Sequence, residues 1–577
     1  MAGTHTNPIN VNGMFKRAGS WFALFMREGG LEGEILYLGS MHTMASLTAN
    51  KNRLIDITPT FEGRKVPYKV VSCPAELTLI SKYGNIRFTF ADTTKIIAEG
   101  DPGMGLRFER TMSGHDSAHP RKDGAWEAFF TKICAVIFKG LNGSSFDFND
   151  GKTPWNWEAL ASGAIYGQTR PAPNGTFTLV IEESMFGGTV RDSYPTYAEA
   201  KASMQADWDN FVNKLPEFKG PYEEVRLQCE YVLWSFLVGP AGNSRYPMMS
   251  MFAGMVGSQW QMCQNAVALH DHIDLAIDLL LGPIDRAGPD GQLPDGYDDT
   301  MLESLMVKPP LHGWAVQEIM KHHDLLKEVS LDKLEMLYTG MGKWADWFLT
   351  LRDEDGDGLP VVYHSDETGL DACTMFVNHS VLVSPDVCAY LVLLLEAVGD
   401  LAKLLGKADA DMWYGKATSL LNNMMENLWD GEHFVGMVPD TREKLFSGSV
   451  VHYMPAVLGN RLPKDILDKL VDGLSDKEHF FTEWGIASED LTSDYYSNAG
   501  FGRGCVIPPV MFFLCTGLWD THRREDARAF ADNYLRGLGN ANFAFFLDAQ
   551  RGNGMYGCSS WSCCTYMTLA RLLSENT

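Results

Sequence analysis

"SPDVCAYLVLLLEAVGDLAKLLGKADADMWYGKATSLLNNMMENLW", residues 384–429, reads as two helices joined by a short turn. Ser384 is placed to cap the first, and Pro385 falls in its first turn, where a missing amide donor costs nothing. Leu391, Leu395, Val398, Ala402 and Leu405 form an apolar stripe that stops at Gly406. Trp413, Ala417, Leu420, Met424 and Leu428 form a second stripe that closes near Trp429. Two such stripes on either side of "GKADAD" predict an antiparallel helical hairpin.

The same texture runs from Pro221 to the C-terminus, with "KPPLHGWAVQEIMKHHDLL" and "GCVIPPVMFFLCTGLWD" as further helical segments and no strict repeat. Successive hairpins predict a barrel or toroid of paired helices whose loops converge at one end and form a pocket. Upstream, from about Ile35 to Ser184, segments such as "KVPYKVVSC", "NIRFTFA" and "GTFTLVIEES" are β-branched and aromatic and are punctuated by Gly, Pro, Asn and Asp. That is antiparallel β texture. Between the two regions, Ala198, Met204, Trp208 and Val212 recur at helical intervals before Pro216, which predicts a linking helix.

The chain has 577 residues, 45% of them hydrophobic and 21% charged, so it is expected to fold compactly with a large core. A formal charge of -25 argues against a nucleic-acid partner, because binding phosphate needs concentrated Lys and Arg. A small neutral or cationic partner is favoured, and a homo-oligomer is left open. "MAGTHTNPINVNGMFKR" has no apolar stretch of the signal-peptide kind, and no later run has the ~20 apolar residues of a membrane span. A cytoplasmic protein without membrane segments is expected. The eleven cysteines lack metal-ligand spacing and suit buried thiols better than a disulfide framework.

Chemistry concentrates in "RDEDGDGLPVVYHSDETGLDAC", residues 352–373. Asp353, Asp355, Asp357 and Gly358 reproduce the first half of a calcium loop, but its twelfth position, a bidentate Glu in that pattern, is His364. A structural calcium and a turn held by Asp side chains both stay open, and no cofactor is required. Downstream, Asp366, Glu367 and Asp371 crowd together, and crowded carboxylates raise one another's pKa, as a general acid needs.

This stretch resembles the glycoside hydrolase family 63 motif, in which an Asp-Gly-Asp-Gly-Leu loop precedes a Ser-Gly-Trp-Asp or Ser-Gly-Leu-Asp segment. "SQWQMCQNAVALHDHIDLAIDLL", "GQLPDG", "KPPLHGWAVQEI", "GFGRGCVIPPVMFFLCTGL" and "SSWSCCTYMTLA" resemble further segments of the family in the same order. The resemblance covers roughly Pro221 to Thr577. It implies an α+β multidomain fold: an N-terminal antiparallel β-sandwich domain (1–190), a linker helix (191–220) and an (α/α)6 toroid or barrel carrying catalysis (221–577).

It also implies roles. Asp371 matches the general acid, Arg503 lines the sugar site, and Trp561 matches the closing aromatic. Trp260, Gln261, His364, Glu367 and Tyr496 are the other candidates for holding a small carbohydrate. Gln261 stands where the family has Asp, and Phe545 where it has the general-base Glu, so Glu489 and Asp548 become the candidate bases, Glu489 preferred. An inverting glycoside hydrolase acting on a small glycoside or oligosaccharide is the leading expectation. The alternatives are a lyase or isomerase, to which His115, His119, His364 and tyrosines could contribute proton transfer, and a non-catalytic sugar-binding protein.

Overall fold

The computed structural model describes residues 9–11, 13–28, 34–42, 53–111, 116–131, 133–148, 164–184, 193–218, 220–253, 255–300, 302–303 and 306–575. His115, named above for the lyase alternative, lies outside these residues.

The N-terminal region is β-rich and antiparallel. One eight-stranded sheet contains Met14–Phe15, Phe22–Glu28, Glu34–Ser40, Arg53–Phe61 and Met104–Thr111, so the β region begins earlier than the texture from Ile35 suggested. The other contains Cys134–Leu141, Phe177–Ser184, Lys95–Gly100, Gly84–Asp92 and Glu76–Ser81 in that order. Along Glu76–Ser81, Leu77 and Leu79 are buried and their neighbours are not, the period of two that a half-covered strand requires. The sheets meet through aromatic edges: the Phe108 ring lies 5.2 Å from that of Phe138 on the opposite sheet.

Helix α1 (Tyr197–Val212) connects the two regions. Thr196 and Glu199 close a capping box at its start, and Ala200, Met204, Trp208, Phe211 and Val212 are buried. The predicted stripe is shifted at one end, since Ala198 is exposed and Ala200 takes the inner position.

The remainder is helical: α2 (Arg226–Phe236), α3 (Gln259–Ala268), α4 (Ile273–Asp285), α5 (His312–Met320), α6 (Leu331–Leu351), α7 (Pro385–Leu404), α8 (Ala410–Asn427), α9 (Lys464–Ser475), α10 (Pro508–Trp519), α11 (Arg524–Asn540) and α12 (Ser560–Glu575). A short 3-10 segment, Met454–Arg461, lies between α8 and α9. Contacts run from α3 to α5, α5 to α7, α7 to Met454–Arg461, that segment to α10, α10 to α12, and α12 back to α3. α4 packs on α3, α6 and α8 on α7, α9 on Met454–Arg461, and α11 on α10 and α12.

This order explains the burial. α7 is covered on nearly all sides, including Leu393 and Leu394 off the predicted stripe, whereas α8 buries only Trp413, Ala417, Leu420 and Met424. No helix of the described residues is long and apolar enough to cross a membrane.

The β region docks on the chain that leaves α2. Lys16 Nζ donates to the Ser235 and Leu237 carbonyls at 2.9 and 2.7 Å, and Trp21 Nε1 donates to the Gly239 carbonyl at 2.8 Å. His42 lies between Asp299, at 2.8 Å, and Glu183, at 3.3 Å. Burial lowers the His42 pKa, but its bonds to the two carboxylates outweigh that and bring it up to about 9.

Candidate active site

His119 lies on the β strand Ser117–Pro120, Trp260 and Gln261 lie in the first turn of α3 and Trp561 in that of α12, while the other described candidates lie on the loops that enter α7, α10 and α12, and several contacts join these loops. Arg503 Nε donates to the Ala372 carbonyl at 3.2 Å, and Thr374 Oγ1 donates to Glu489 at 2.9 Å. Backbone bonds pair Val506 with Leu547, and Ala549 N donates to the Asn498 carbonyl at 2.9 Å.

The 352–384 loop is built around a buried ion pair. Both terminal nitrogens of the Arg352 guanidinium donate to Glu367, at 2.7 and 2.8 Å, and Glu367 also accepts from Tyr363 N at 2.7 Å. Arg352 is 5% exposed and Glu367 1%. Glu367 therefore holds the loop together and is not placed to bind a sugar hydroxyl, which corrects the expectation from sequence. Gly369 has φ +78° and presses on Trp260, whose ring atoms lie 2.2–2.4 Å from where a Cβ would stand. Only glycine fits such a left-handed turn against a ring.

Beyond that turn, the Ser365 hydroxyl donates to the Asp371 carbonyl. The Asp371 side chain stays 54% exposed and lies beside Asp366 and Lys308. Lys308 Nζ sits 2.6 Å from Asp366 Oδ1, 3.9 Å from Asp371 Oδ1 and 3.7 Å from Asp295 Oδ2. Burial pushes Asp366 up, yet its bonds to Asp371 and Lys308 hold it below the usual carboxylate range. Partial burial, then the hydrogen bond to Asp366, push Asp371 up to about 8. A carboxyl that keeps its proton near neutrality and still faces solvent has the chemistry of a general acid.

The candidate bases differ. Asp548 is an ionised turn-former: Oδ1 accepts from Gln550 N and Arg551 N at 2.9 Å, and Oδ2 from Asn498 Nδ2 at 2.5 Å. Burial raises its pKa, but these bonds bring it below the ordinary value. Glu489 is buried, accepts from Thr374 and, at 2.6 Å, from Ser493 Oγ, and is raised by burial. Phe545 stacks with Trp561 at 5.0 Å and with Phe501 at 5.7 Å.

The remaining candidates separate by exposure. Arg503 and Tyr496 are half-buried and His364 is exposed, with His364 Nδ1 accepting from Asp366 N at 3.0 Å. Trp260 and Trp561 are each only 3% exposed and meet edge to face at 4.9 Å. In this packing neither indole presents an open stacking face. Gln261 is fully buried and donates to Ser560 Oγ, so it too is turned away from solvent. Lys308, Asp295 and Thr374 were not singled out from the sequence. The nearest signal was the Lys that opens "KPPLHGWAVQEI", a segment quoted only for its resemblance.

Asp353, Asp355 and Asp357 bring carboxylate oxygens within 4.8 Å of one another. Asp353 accepts from Gly358 N at 3.1 Å, and Arg442 pairs with Asp357 at 2.6 Å. The cluster fits a cation in part, since a guanidinium already faces one of the three ligands.

Residues 283–562 match the family model of the mannosylglycerate hydrolase MGH1-like glycoside hydrolase domain. The GH63 mannosylglycerate hydrolase of Thermus thermophilus, solved with glucose, aligns at 18% identity and TM-score 0.50, over 60% of this chain and 99% of that one. A family GH92 α-mannosidase from Bacteroides thetaiotaomicron aligns at 12% identity and TM-score 0.58, over 98% of this chain and 82% of that one. No curated protein sequence matches the chain significantly. Domain match and fold together define the class, a glycoside hydrolase-like enzyme. Within that class, residues 283–562 are similar to the mannosylglycerate hydrolase MGH1-like domain.

Proposed function

We propose that the protein is an inverting glycoside hydrolase acting on a small glycoside or oligosaccharide in the cytoplasm. Asp371 is its general acid, Glu489 its base, and an (α/α)6 toroid behind a β-sandwich its scaffold. The Asp366–Asp371 pair carries this reading: one member ionised beside Lys308, the other protonated and open to solvent. The cyclic order of helix contacts supports the toroid. Inversion requires two carboxyls about 6.5–9.5 Å apart with a water between them. Thr374, three residues after Asp371, bonds Glu489, which supports that pairing.

Purified protein incubated with mannosylglycerate, α-mannosides and a disaccharide panel should give products heavier by one water, with inverted anomeric configuration. Glu489→Gln should lower kcat by about 10²–10⁴-fold, and added azide should restore turnover as a glycosyl azide of opposite anomer. Wild-type kcat in Glu489→Gln, with Asp371→Asn inactive, would move the base elsewhere. Phe545, a side chain that cannot take a proton where the resemblance places the base, favours a second reading, elimination from a uronate, whose unsaturated product absorbs in the ultraviolet and contains no added water.

The acidic loop is proposed as a turn cross-linked by Arg442, with calcium as its competitor, and the hydrolysis proposed needs no ion. Millimolar calcium should move the wild-type melting midpoint by less than about 1 °C and should raise that of Arg442→Ala. A rise of several degrees in the wild type would place an ion in the loop instead.

A further inference from the structure

Lys308 is an unusual neighbour for a proton donor. Its side chain is only 9% exposed, and its ammonium reaches Asp366 twice, at Oδ1 (2.6 Å) and at the carbonyl (3.0 Å). Asp371 is farther from it, at 3.9 Å, and more open, 54% exposed against 13% for the Asp366 side chain. Two hydrogen-bonded carboxyls cannot both ionise cheaply, so near neutrality they hold one proton between them, and the nearest cation decides where the charge rests.

Resting on Asp371 as the acid, we propose that Lys308 is a positioning residue: by bonding Asp366 and only flanking Asp371, it fixes the pair's charge on Asp366 and leaves the proton on the solvent-facing carboxyl. The other groups around the pair do not reverse this choice. Asp295 faces Lys308 at 3.7 Å and shares its charge. His364 Nδ1 accepts from the Asp366 amide, and His364 acts on the Asp366 carboxyl in the same direction as Lys308. Arg352 is neutralised by Glu367, and Arg503 is held at the Ala372 carbonyl.

When the glycosidic C–O bond breaks, the Asp371 proton goes to the leaving oxygen, and the attacking water bonds to carbon as it gives a proton to Glu489. Asp366 and Asp371 are then both anionic, with Lys308 between them and Asp295, until Asp371 recovers a proton from solvent. An amide at position 308 could accept or donate a hydrogen bond there but would not distinguish the two charges.

The test uses the full-length protein labelled with [4-13C]aspartate, in which the carboxyl signals missing from Asp371→Asn and Asp366→Asn identify the two groups. In the wild type the Asp371 signal should titrate alone, well above the free-aspartate midpoint of about 3.9. In Lys308→Gln the two signals should move together over a common pH range, and kcat/KM at pH 7 should fall by about tenfold or more, with its alkaline limb displaced. Lys308→Arg should recover to within about threefold of wild type.

An unchanged Asp371 titration and pH profile in Lys308→Gln would overturn the proposal. Should that variant fail to fold, Asp366→Asn decides: with Lys308 kept and the neighbouring anion gone, the Asp371 midpoint should fall clearly below that of the wild type, and an unchanged midpoint would refute the pair. The acid assignment fails separately, through an active Asp371→Asn, whatever the titrations show.

Discussion

Asp371→Asn is expected to lower kcat by about 10²–10⁴-fold on substrates with poor leaving groups, the range that a positioned general acid supplies. The loss should shrink on aryl glycosides with acidic phenols, which depart without help. Folding should survive, because the Asp371 carbonyl that accepts from Ser365 remains and only the proton donor changes.

The pH dependence has a definite sign. The folded pKa of Asp371, about 8, lies above the unfolded value, so the folded state binds the proton more tightly. That contribution is full below about pH 4, fades as pH rises, and is gone above about pH 8. Asp371→Asn should therefore melt close to wild type near pH 4 and above it near pH 9, while wild-type turnover falls through an alkaline limb near pH 8. Full activity in the Asn variant on an unactivated substrate would remove Asp371 from the reaction.

What the sequence made legible depended on whether the signal was local. The α7 and α8 hairpin showed itself through stripes, Pro385 in the first turn and a loop within one window, although the Ser384 hydroxyl bonds the Asp386 carboxylate rather than capping a backbone amide. Met454–Arg461 left no trace, because a short 3-10 segment containing Gly459 at φ +54° has no helical period to detect. Glu367 looked like a loop acid because its partner, Arg352, lies fifteen residues upstream and meets it only after the chain reverses. Trp260 and Trp561 sit in motifs that flank sugar sites, but whether an indole meets a sugar or another indole is set by packing between distant helices. Asp371 was singled out through collinear motifs. Its partnership with Lys308 was not, because Lys308 arrives on the loop before α5.

Arg352→Met should be the most damaging substitution for stability, costing about 3–5 kcal/mol, since it strands Glu367 as an unpaired carboxylate in a 1% exposed position. The guanidinium also lies over the Tyr363 ring, 3.9 Å from its centroid, and the Trp347 ring, at 4.8 Å, so methionine replaces the contact area but not the charge. Glu367 also accepts from Val307 N at 3.4 Å, and so ties the loop of Asp371 to the loop of Lys308. Activity should fall with stability for that reason.

The double variant Arg352→Met/Glu367→Leu separates the causes. If the cost comes from an uncompensated charge, removing both ions should return most of the lost free energy in urea unfolding, as apolar replacements of buried pairs do elsewhere. Its kcat should nevertheless stay depressed, because the Tyr363 and Val307 amides lose the carboxylate that registers the loop. A single variant losing less than about 1 kcal/mol would mean that water reaches Glu367, and the loop would then owe its shape to Gly369 against Trp260 rather than to the ion pair.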